Sequence, residues 1–201
     1  ISMPYEVNVD PYIDASSGVL RNLLAIDDSR ELERAEARIV SIAITKVGMQ
    51  THLKPTEQTL DFFLSLHKQL FNSIYAWAGQ LRTVEISKGT TSFARAQYLQ
   101  SSLQELFRQF AVDNQGVFSN KETLVEKLAY YYGELNVLHP FREGNGRTIR
   151  TFLSLVADRQ GYYIAWDEMD AAENIQACIA SYNGDESPLR RMLARILHSV
   201  E

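Results

Sequence analysis

Apolar residues recur at helical spacing along nearly the whole chain, and no other feature of the sequence constrains the fold as strongly. In six stretches an apolar residue returns every three or four positions, as one face of an α-helix requires. The sequence therefore predicts an all-α protein. The apolar positions are Leu32, Ala35, Ile39, Ile42 and Ala43; Leu60, Phe63, Leu64 and Phe71; Leu99, Leu103, Leu106, Phe107 and Phe110; Leu124, Val125, Leu128, Tyr132, Leu135 and Leu138; Ile149, Phe152, Leu153 and Val156; and Leu189, Met192, Leu193, Ile196 and Leu197.

Capping and breaking residues predict where these helices begin and end. Asp and Ser favour the position before a helix, proline its first turn, and glycine the position after its end. A further helix is expected from about Asp167 to Tyr182. The other expected limits are Asp28 and Gly48 for the first helix, Pro55 for the start of the second, residues 113–116 for the end of the third, Ser119 with Glu122 for the start of the fourth, and Ser187 with Pro188 for the start of the last.

The helical period is interrupted between residues 79 and 94. Val84 and Ile86 alternate there with polar neighbours, and the turn-forming residues 88–91 follow. Alternation with a period of two indicates a strand that is buried on one side. We therefore expect one short β-hairpin, within residues 80–94, in an otherwise helical bundle.

Length and charge limit the possible classes of protein. A chain of 201 residues suits a single domain, 1–201, either as a whole protein or as part of a longer parent. The net charge of −5 argues against a general nucleic-acid surface, which needs clustered Lys and Arg side chains. No stretch approaches the ~20 apolar residues of a membrane span. We expect a soluble protein that contacts neither nucleic acid nor membrane.

The only cysteine, Cys178, cannot form a disulfide within the chain. A reducing compartment is therefore expected, which for a bacterial protein is the cytoplasm. Cys178 is predicted to be a small core residue rather than a reactive thiol. His67 lies on an apolar helical stripe, so we expect a hydrogen-bonded core histidine rather than a metal ligand.

The densest group of polar and ionisable residues runs from His139 to Arg150, with the sequence HPFREGNGRTIR. It begins where Pro140 ends one predicted helix and continues into the start of the next. Its glycines let the backbone present N–H groups, and a helix N-terminus favours negative charge. Arg147 and Arg150 are three positions apart, so they project together from the helix. The pattern predicts a phosphate-binding site.

Three residues of this stretch have predicted tasks. His139 is the candidate general base, because histidine accepts a proton near neutral pH; the alternative is a histidine hydrogen-bonded only for structure. Glu143 suits Mg²⁺, which commonly takes one or two carboxylates and completes its shell with phosphate oxygens and water. Phe141 is expected to anchor the loop to the core.

The stretch is similar at every fixed position to the Fic family motif, His-x-Phe-x-(Asp/Glu)-Gly-Asn-Gly-Arg-x-x-Arg. Fic enzymes mostly transfer AMP from ATP onto a hydroxyl side chain of another protein. The resemblance implies a Fic-fold helical bundle with one hairpin, with ATP as substrate and Mg²⁺ as cofactor. The implied roles are base for His139, Mg²⁺ ligand for Glu143, anion hole for Gly144, Asn145 and Gly146, and clamp on the outer phosphates for Arg147 and Arg150.

The resemblance also assigns roles outside the motif. The predicted hairpin resembles the Fic flap, which binds a segment of the target protein beside the active site by strand addition. Lys88 and Gly89 are the flap residues expected to contact the nucleotide or the target. Asn174 and Ile175 lie where Fic proteins contact adenine.

Three functions stay open at this point. The first is an AMP transferase of bacterial toxin or effector type. The second is a relative that moves another nucleotide-linked group, such as UMP or phosphocholine, and the third is a catalytically silent nucleotide-binding module. The intact His139 and Glu143 count against the third. In the related Doc branch a lysine replaces Gly146 and phosphate is transferred, so glycine here favours AMP transfer.

Many Fic enzymes carry an inhibitory helix of pattern (Ser/Thr)-x-x-x-Glu-(Gly/Asn), whose glutamate pairs with the second motif arginine, here Arg150. Glutamate precedes glycine or asparagine only at Glu143 and Glu173, and the residues four positions earlier are His139 and Met169. The pattern is missing from this sequence. The resemblance then implies inhibition in trans by a small antitoxin protein that supplies the glutamate, unless a longer parent protein carries an inhibitory segment of its own. For a translocated effector, the site of action would be a host cell.

Overall fold

The computed structural model describes residues 10–50, 59–88, 91–114, 116 and 120–200. These residues confirm the all-α prediction, with short strands between the helices. The α-helices are α1 (Ser29–Gln50), α2 (Leu60–Phe71), α3 (Leu99–Asp113), α4 (Lys121–Leu138), α5 (Asn145–Arg159), α6 (Ala171–Tyr182) and α7 (Ser187–Ile196); the strands are β1 (Ser87–Lys88), β2 (Thr91–Ser92), β3 (Tyr162–Ile164) and β4 (Leu197–Ser199).

Helices α4 and α5 form the centre of the bundle. Helix α4 packs against α3, α5, α6 and α7, while α5 also contacts α1, α2 and β3. Phe152 of α5 lies at the middle of an aromatic cluster, with ring centroids 5.4 Å from Phe63 and 5.2 Å from Phe110. The predicted apolar residues of α3, α4 and α5 are buried. No helix in the described part of the chain is both long and apolar enough to span a membrane.

Helix α1 buries much of the predicted face, because Leu32 is buried and Ile39 and Ala43 pack against the core, but it departs from the prediction at one position. Its buried residues are Leu32, Glu36, Val40 and Val47, whereas Ile42 is 71% exposed. The prediction that Ile42 belongs to the apolar stripe is wrong, and the buried face includes the charged residue Glu36. The carboxylate of Glu36 is satisfied inside the protein, as described below.

Some predicted helix limits are confirmed and others are wrong. The backbone N–H of Glu31 donates to Asp28 Oδ1 over 2.8 Å, so Asp28 caps α1 as predicted. Helix α4 is capped by Asn120, which accepts from Thr123 N, and the predicted cap Ser119 lies outside the described residues. Pro55 also lies outside them, and α2 begins at Leu60 after a Thr59 cap.

Near the C-terminus two predicted limits are wrong. Helix α6 begins at Ala171, because the Asp170 side chain caps it; the residues Trp166–Glu168 form a separate 3-10 turn. Leu197 belongs to β4 rather than to α7, since β4 pairs antiparallel with β3. Pairing between strands distant in sequence leaves no local periodic signal, so this second two-stranded sheet was not predicted.

The predicted hairpin is present but short. Strand β1 pairs antiparallel with β2, with Ser87 opposite Ser92 and Lys88 opposite Thr91. Val84 and Ile86 precede the strands, so their alternation did not mark the paired residues. We call residues 80–94 the flap.

Candidate active site

The motif forms a loop between α4 and α5, which we call the active-site loop, residues 139–144. It begins at His139, which ends α4 in the left-handed conformation with φ 46°. It ends at Gly144, which precedes α5 with φ 83°. A non-glycine residue in this conformation is uncommon, and such residues cluster at functional sites.

The loop is closed by a side chain of its own motif. Asn145 Oδ1 accepts from Phe141 N over 2.8 Å, and Asn145 Nδ2 donates to Phe141 O over 2.7 Å. Phe141 is fully buried, and its ring stacks on His67 with 3.8 Å between centroids. The predicted role of Phe141 as an anchor is confirmed. The side chain of Asn145 is committed to the loop, so its contribution to an anion hole comes from its backbone.

His67 supports the loop from α2, and the prediction of a hydrogen-bonded core histidine is confirmed. The backbone N–H of Gly79 donates to His67 Nδ1 over 2.8 Å. Nδ1 is therefore the acceptor, and Nε2 carries the proton that it donates to Glu143 O over 3.0 Å. Burial lowers the pKa of His67 to about 4, so the neutral ring is present at pH 7.

Gly144 fits against the core in a way that no other residue can. A Cβ built at this position would lie 2.3 Å from a ring carbon of Phe71. The positive φ also disfavours any side chain. The glycine therefore lets α5 begin directly against α2.

The first turn of α5 presents backbone N–H groups to the loop. Thr148 N donates to Gly144 O over 3.0 Å and makes the first hydrogen bond of the helix. The N–H groups of Asn145, Gly146 and Arg147 precede it, so they have no acceptor within the helix. This geometry suits a phosphate group, because these donors and the helix dipole both favour negative charge.

Two contacts of His139 bear on the orientation of its ring. Its Nδ1 lies 3.2 Å from the carbonyl oxygen of Asn136, which can only accept a hydrogen bond. Nδ1 therefore carries the proton in the neutral ring, and Nε2 is the nitrogen with the acceptor lone pair. The ring stacks on Phe93 of the flap, with 3.9 Å between centroids and 15° between planes. This arrangement suits a general base.

The two motif arginines have different surroundings. Arg147 Nη2 donates to Glu36 Oε1 and lies 3.3 Å from Glu143 Oε1, and its guanidinium lies 4.9 Å above the Phe71 ring. Tyr75 donates its hydroxyl proton to the other oxygen of Glu36, and burial raises the pKa of this tyrosine. Arg147 is therefore shared between two carboxylates.

Arg150 lies against Gly146. A Cβ at Gly146 would lie 3.2 Å from Arg150 Nη1, so the glycine leaves room for the guanidinium. Burial raises the pKa of Tyr132 to about 12, and nearby Arg150 opposes that shift. Tyr132 donates to Asn174 Oδ1 over 2.8 Å, which brings the predicted adenine-pocket residue to the same tyrosine. The structure thus gives Arg147 and Arg150 different partners, and their shared role as a clamp on the outer phosphates stays a prediction.

The structure describes some, but not all, of the residues predicted outside the motif. Lys88 lies at the end of β1, and Gly89 lies outside the described residues. Ile175 is 48% exposed on α6. Cys178 is partly buried against the core, with its sulfur 3.8 Å from Asn174 Oδ1, so the predicted core environment agrees with the structure.

Glu143 of the active-site loop is the candidate carboxylate ligand for a magnesium ion. The described residues contain no cluster of three or more His, Cys, Asp or Glu side chains that could hold a metal alone. The Glu143 side chain is 42% exposed, and Oε1 accepts from its neighbour Gly144 N over 2.8 Å. A single exposed carboxylate beside a phosphate site fits Mg²⁺, which takes its other ligands from phosphate and water.

Sequence reasoning missed three residues that support the site: Glu36, Tyr75 and Arg82. Glu36 lies 111 positions from Arg147, and a single sequence contains no information on such a pair. One local signal was available, because Glu36 occupies the helical period of Leu32 and Val40. Arg82 is 2% exposed and had no signal at all.

Comparison with known proteins places the chain among Fic proteins. Residues 57–157 match the model of the Fic/DOC family. The chain is 37% identical over 195 residues to the protein adenylyltransferase VbhT of Bartonella schoenbuchensis, covering 96% of this chain and 40% of that protein. It is 31% identical over 188 residues to the Escherichia coli "probable protein adenylyltransferase Fic", covering 94% of this chain and 92% of that protein.

Solved structures confirm the fold. The N-terminal Fic domain of a Bartonella effector protein, a substrate of the VirB secretion system from Bartonella sp. AR 15-3, superposes with a TM-score of 0.86 at 22% identity, covering 98% of this chain and 95% of that one. The BepC protein of Bartonella tribocorum, with bound AMPPNP, gives a TM-score of 0.84 at 21% identity, covering 94% and 97%.

Proposed function

Because this chain belongs to the Fic/DOC family, we propose that it transfers AMP from ATP to a Ser, Thr or Tyr hydroxyl of a target protein. The chain is an enzyme, a nucleotidyltransferase, and relatives that it matches over most of its length are named protein adenylyltransferases. The observation that carries the proposal is that His139, with Nε2 as acceptor, begins the loop that leads into the first N–H groups of α5.

The reaction needs one proton transfer and one displacement at phosphorus. The target hydroxyl oxygen bonds to the α-phosphorus of ATP, and the bond from that phosphorus to the bridging oxygen of the β-phosphate breaks. The hydroxyl proton passes to His139 Nε2, and pyrophosphate leaves. General base catalysis supplies about 10²–10⁴-fold, so binding and charge stabilisation at the phosphates must supply the larger share.

Different residues of the loop and of α5 bind the phosphates and the metal ion. The N–H groups of Asn145 and Gly146 hold phosphate oxygens, and Arg150 binds the outer phosphates. Arg147 binds the outer phosphates together with Arg150, and its contact with Glu143 also holds that carboxylate in place. Glu143 holds Mg²⁺, which would neutralise charge on the leaving pyrophosphate.

The remaining assignments made from the sequence are proposals of the same kind. Lys88 and Gly89 of the flap contact the nucleotide or target, and Asn174 lies beside adenine. The chain is one Fic domain, 1–201, with the flap and the active-site loop as its functional segments. A small antitoxin protein inhibits it by placing a glutamate against Arg150. The bacterial cytoplasm is the expected location, or a host cell if the chain is part of a translocated effector, as its structural neighbours are.

Two labelled forms of ATP test the proposed reaction. We expect label from [α-³²P]ATP, and none from [γ-³²P]ATP, to enter protein when the chain is incubated with Mg²⁺ and a bacterial lysate. Mass spectrometry should find AMP on a hydroxyl side chain. Transfer of the γ label would show phosphate transfer instead, and label from UTP or CDP-choline alone would identify a different nucleotide-linked group.

Two variants assign the roles. His139→Ala should abolish transfer and keep ADP affinity, because the base acts on the target hydroxyl. Glu143→Ala should lose both transfer and the effect of Mg²⁺ on ADP binding. Label incorporation by His139→Ala at the wild-type rate would overturn the assignment of the base.

A second experiment tests the antitoxin. Expression of the chain alone should arrest bacterial growth, and coexpression with the antitoxin gene should restore it. Replacing the inhibitory glutamate of that partner by glycine should restore toxicity while the two proteins still copurify. Growth arrest that persists with the intact partner would contradict this proposal.

A further inference from the structure

Arg82 is a fully buried arginine that lies outside the motif and takes no part in the reaction as described. Its guanidinium donates through Nε to His139 O over 2.8 Å, through Nη1 to Val84 O over 2.7 Å, and through Nη2 to Leu138 O over 3.3 Å. Nη2 also donates to Ala94 O. One side chain thus binds four backbone carbonyls.

These carbonyls belong to two separate parts of the site. Leu138 and His139 form the C-terminal end of α4. The last carbonyl groups of a helix receive no hydrogen bond from an N–H group within that helix. Val84 lies in the flap segment before β1, and Ala94 lies in the segment after β2. We call these two segments the legs of the flap. Arg82 therefore ties both legs of the flap to the helix end that carries the proposed base.

This connection requires a charged guanidinium to be buried, and removing a charge from water costs free energy. Burial lowers the pKa of Arg82, which reports the cost of removing the charge from water. The carboxylate Glu85 lies 3.8 Å from Nη1, but its side chain is 64% exposed and also accepts from Ala96 N. The guanidinium is thus satisfied mainly by carbonyl oxygens, and those oxygens fix its position on both sides.

The flap also touches the base directly. Phe93, next to Ala94, stacks on the His139 ring at 3.9 Å. Two backbone hydrogen bonds accompany the guanidinium: Arg82 N donates to Pro140 O over 2.9 Å, and Ala94 N donates to Val137 O over 3.1 Å. A shift of the flap would therefore move Phe93 against the imidazole.

We infer that Arg82 is a positioning residue that sets the distance between the flap and His139, and thereby the efficiency with which a flap-bound target hydroxyl meets its base. The inference rests on the proposed function of the flap and of His139. Arg82 contacts neither nucleotide nor target in this role. Displacement of reacting groups by about 1 Å can reduce a rate about 100-fold, so a small movement of the flap would matter.

Lysine at position 82 would keep the positive charge but would lose the planar arrangement of donors that reaches all four carbonyls. The four carbonyls receive bonds from three different nitrogens of a planar group, whereas lysine offers one nitrogen with three protons. Arg82→Lys should therefore fold and hold one leg of the flap at most. Arg108→Lys, on the exposed face of α3 where Arg108 pairs with Glu105, is the matched control.

The test combines transfer, nucleotide affinity and NMR. With saturating Mg²⁺ and [α-³²P]ATP, label transfer to lysate protein by Arg82→Lys should fall about 100-fold per folded molecule, while the dissociation constant for ADP stays within about twofold. The amide of Ala94 should exchange faster, and the His139 ring protons should lose the upfield shift that Phe93 causes. Phe93→Leu should remove the same shift, and Arg108→Lys should change none of these.

The outcomes separate this inference from the proposed function. If the wild-type chain transfers no AMP, the proposed function fails, and the exchange rate and ring-proton shifts still decide whether Arg82 links the flap to His139. Wild-type transfer by Arg82→Lys, or unchanged Ala94 exchange and His139 shifts, would overturn the inference. A loss of ADP affinity equal to the loss of transfer would show a general structural role instead.

Discussion

The active-site loop, which begins at His139, and the flap, whose Phe93 stacks on that histidine, are held in different ways. The loop is supported along its length, by Asn145 from α5, by His67 from α2 and by packing of Gly144 on Phe71. The flap is held at its base by Arg82 and Ala94, and farther out Tyr182 donates to Ser92 O. A loop supported at several points suits phosphate binding, whereas a flap tied through Arg82 and Ala94 near its base and by one exposed hydrogen bond at Ser92 can accept different target segments.

The largest effect is expected at Gly144, where the loop has no room to move. Gly144→Ala adds about 1 kcal/mol of backbone strain and about 1–3 kcal/mol of overpacking against Phe71. Displacement of the loop should also reduce AMP transfer about 100-fold or more. Denaturant unfolding and label transfer measure the two effects.

Gly161→Ala separates strain from the clash. Gly161 has φ 78° and nothing within 4 Å of a built Cβ, so only the strain of about 1 kcal/mol should appear. Equal destabilisation by the two variants would show that the contact with Phe71 does not constrain the loop.

The sequence predicted the loop much better than its supports. The motif places its residues consecutively, so their order alone brings His139, Glu143 and the start of α5 together. Apolar periodicity similarly predicted α3, α4 and α5, because buried faces repeat within one helix. Residues such as Glu36 and Arg82 act across the bundle, and polar residues of this kind are usually exposed. The pairing of β3 with β4 was equally difficult, since these strands are joined through α6 and α7.

A moderate effect is expected from acid, through His67. Its folded pKa of about 4 lies below the ordinary value of 6.5, so the folded state favours the neutral ring. The resulting stability is fully present above pH 6.5 and is lost as the pH falls from 6.5 towards 4. At pH 5, about 1.5 pH units below the ordinary histidine pKa, the free energy of unfolding should be lower by roughly 2 kcal/mol than at pH 7.

Urea unfolding of the wild type and of His67→Gln at pH 7 and pH 5 tests this anchor of the loop. Glutamine provides an acceptor and a donor but does not titrate, so the variant should be less stable at pH 7 and should lose about 2 kcal/mol less on acidification. An identical loss in both proteins would place the acid sensitivity elsewhere and would weaken the contrast between loop and flap.

The smallest effect is expected from Tyr182→Phe on the flap side. The hydroxyl donates to Ser92 O over 3.0 Å at a tyrosine that is 39% exposed, so water can replace it. A net loss of about 0.5–1 kcal/mol is expected, confined to the flap. Because Arg82 still holds both legs, AMP transfer should change less than about threefold, while the amides of β2 exchange faster. Tyr163→Phe on β3, at a similarly exposed tyrosine, should change neither quantity. A tenfold loss of transfer in Tyr182→Phe alone would mean that α6, rather than Arg82, determines where the flap lies relative to His139.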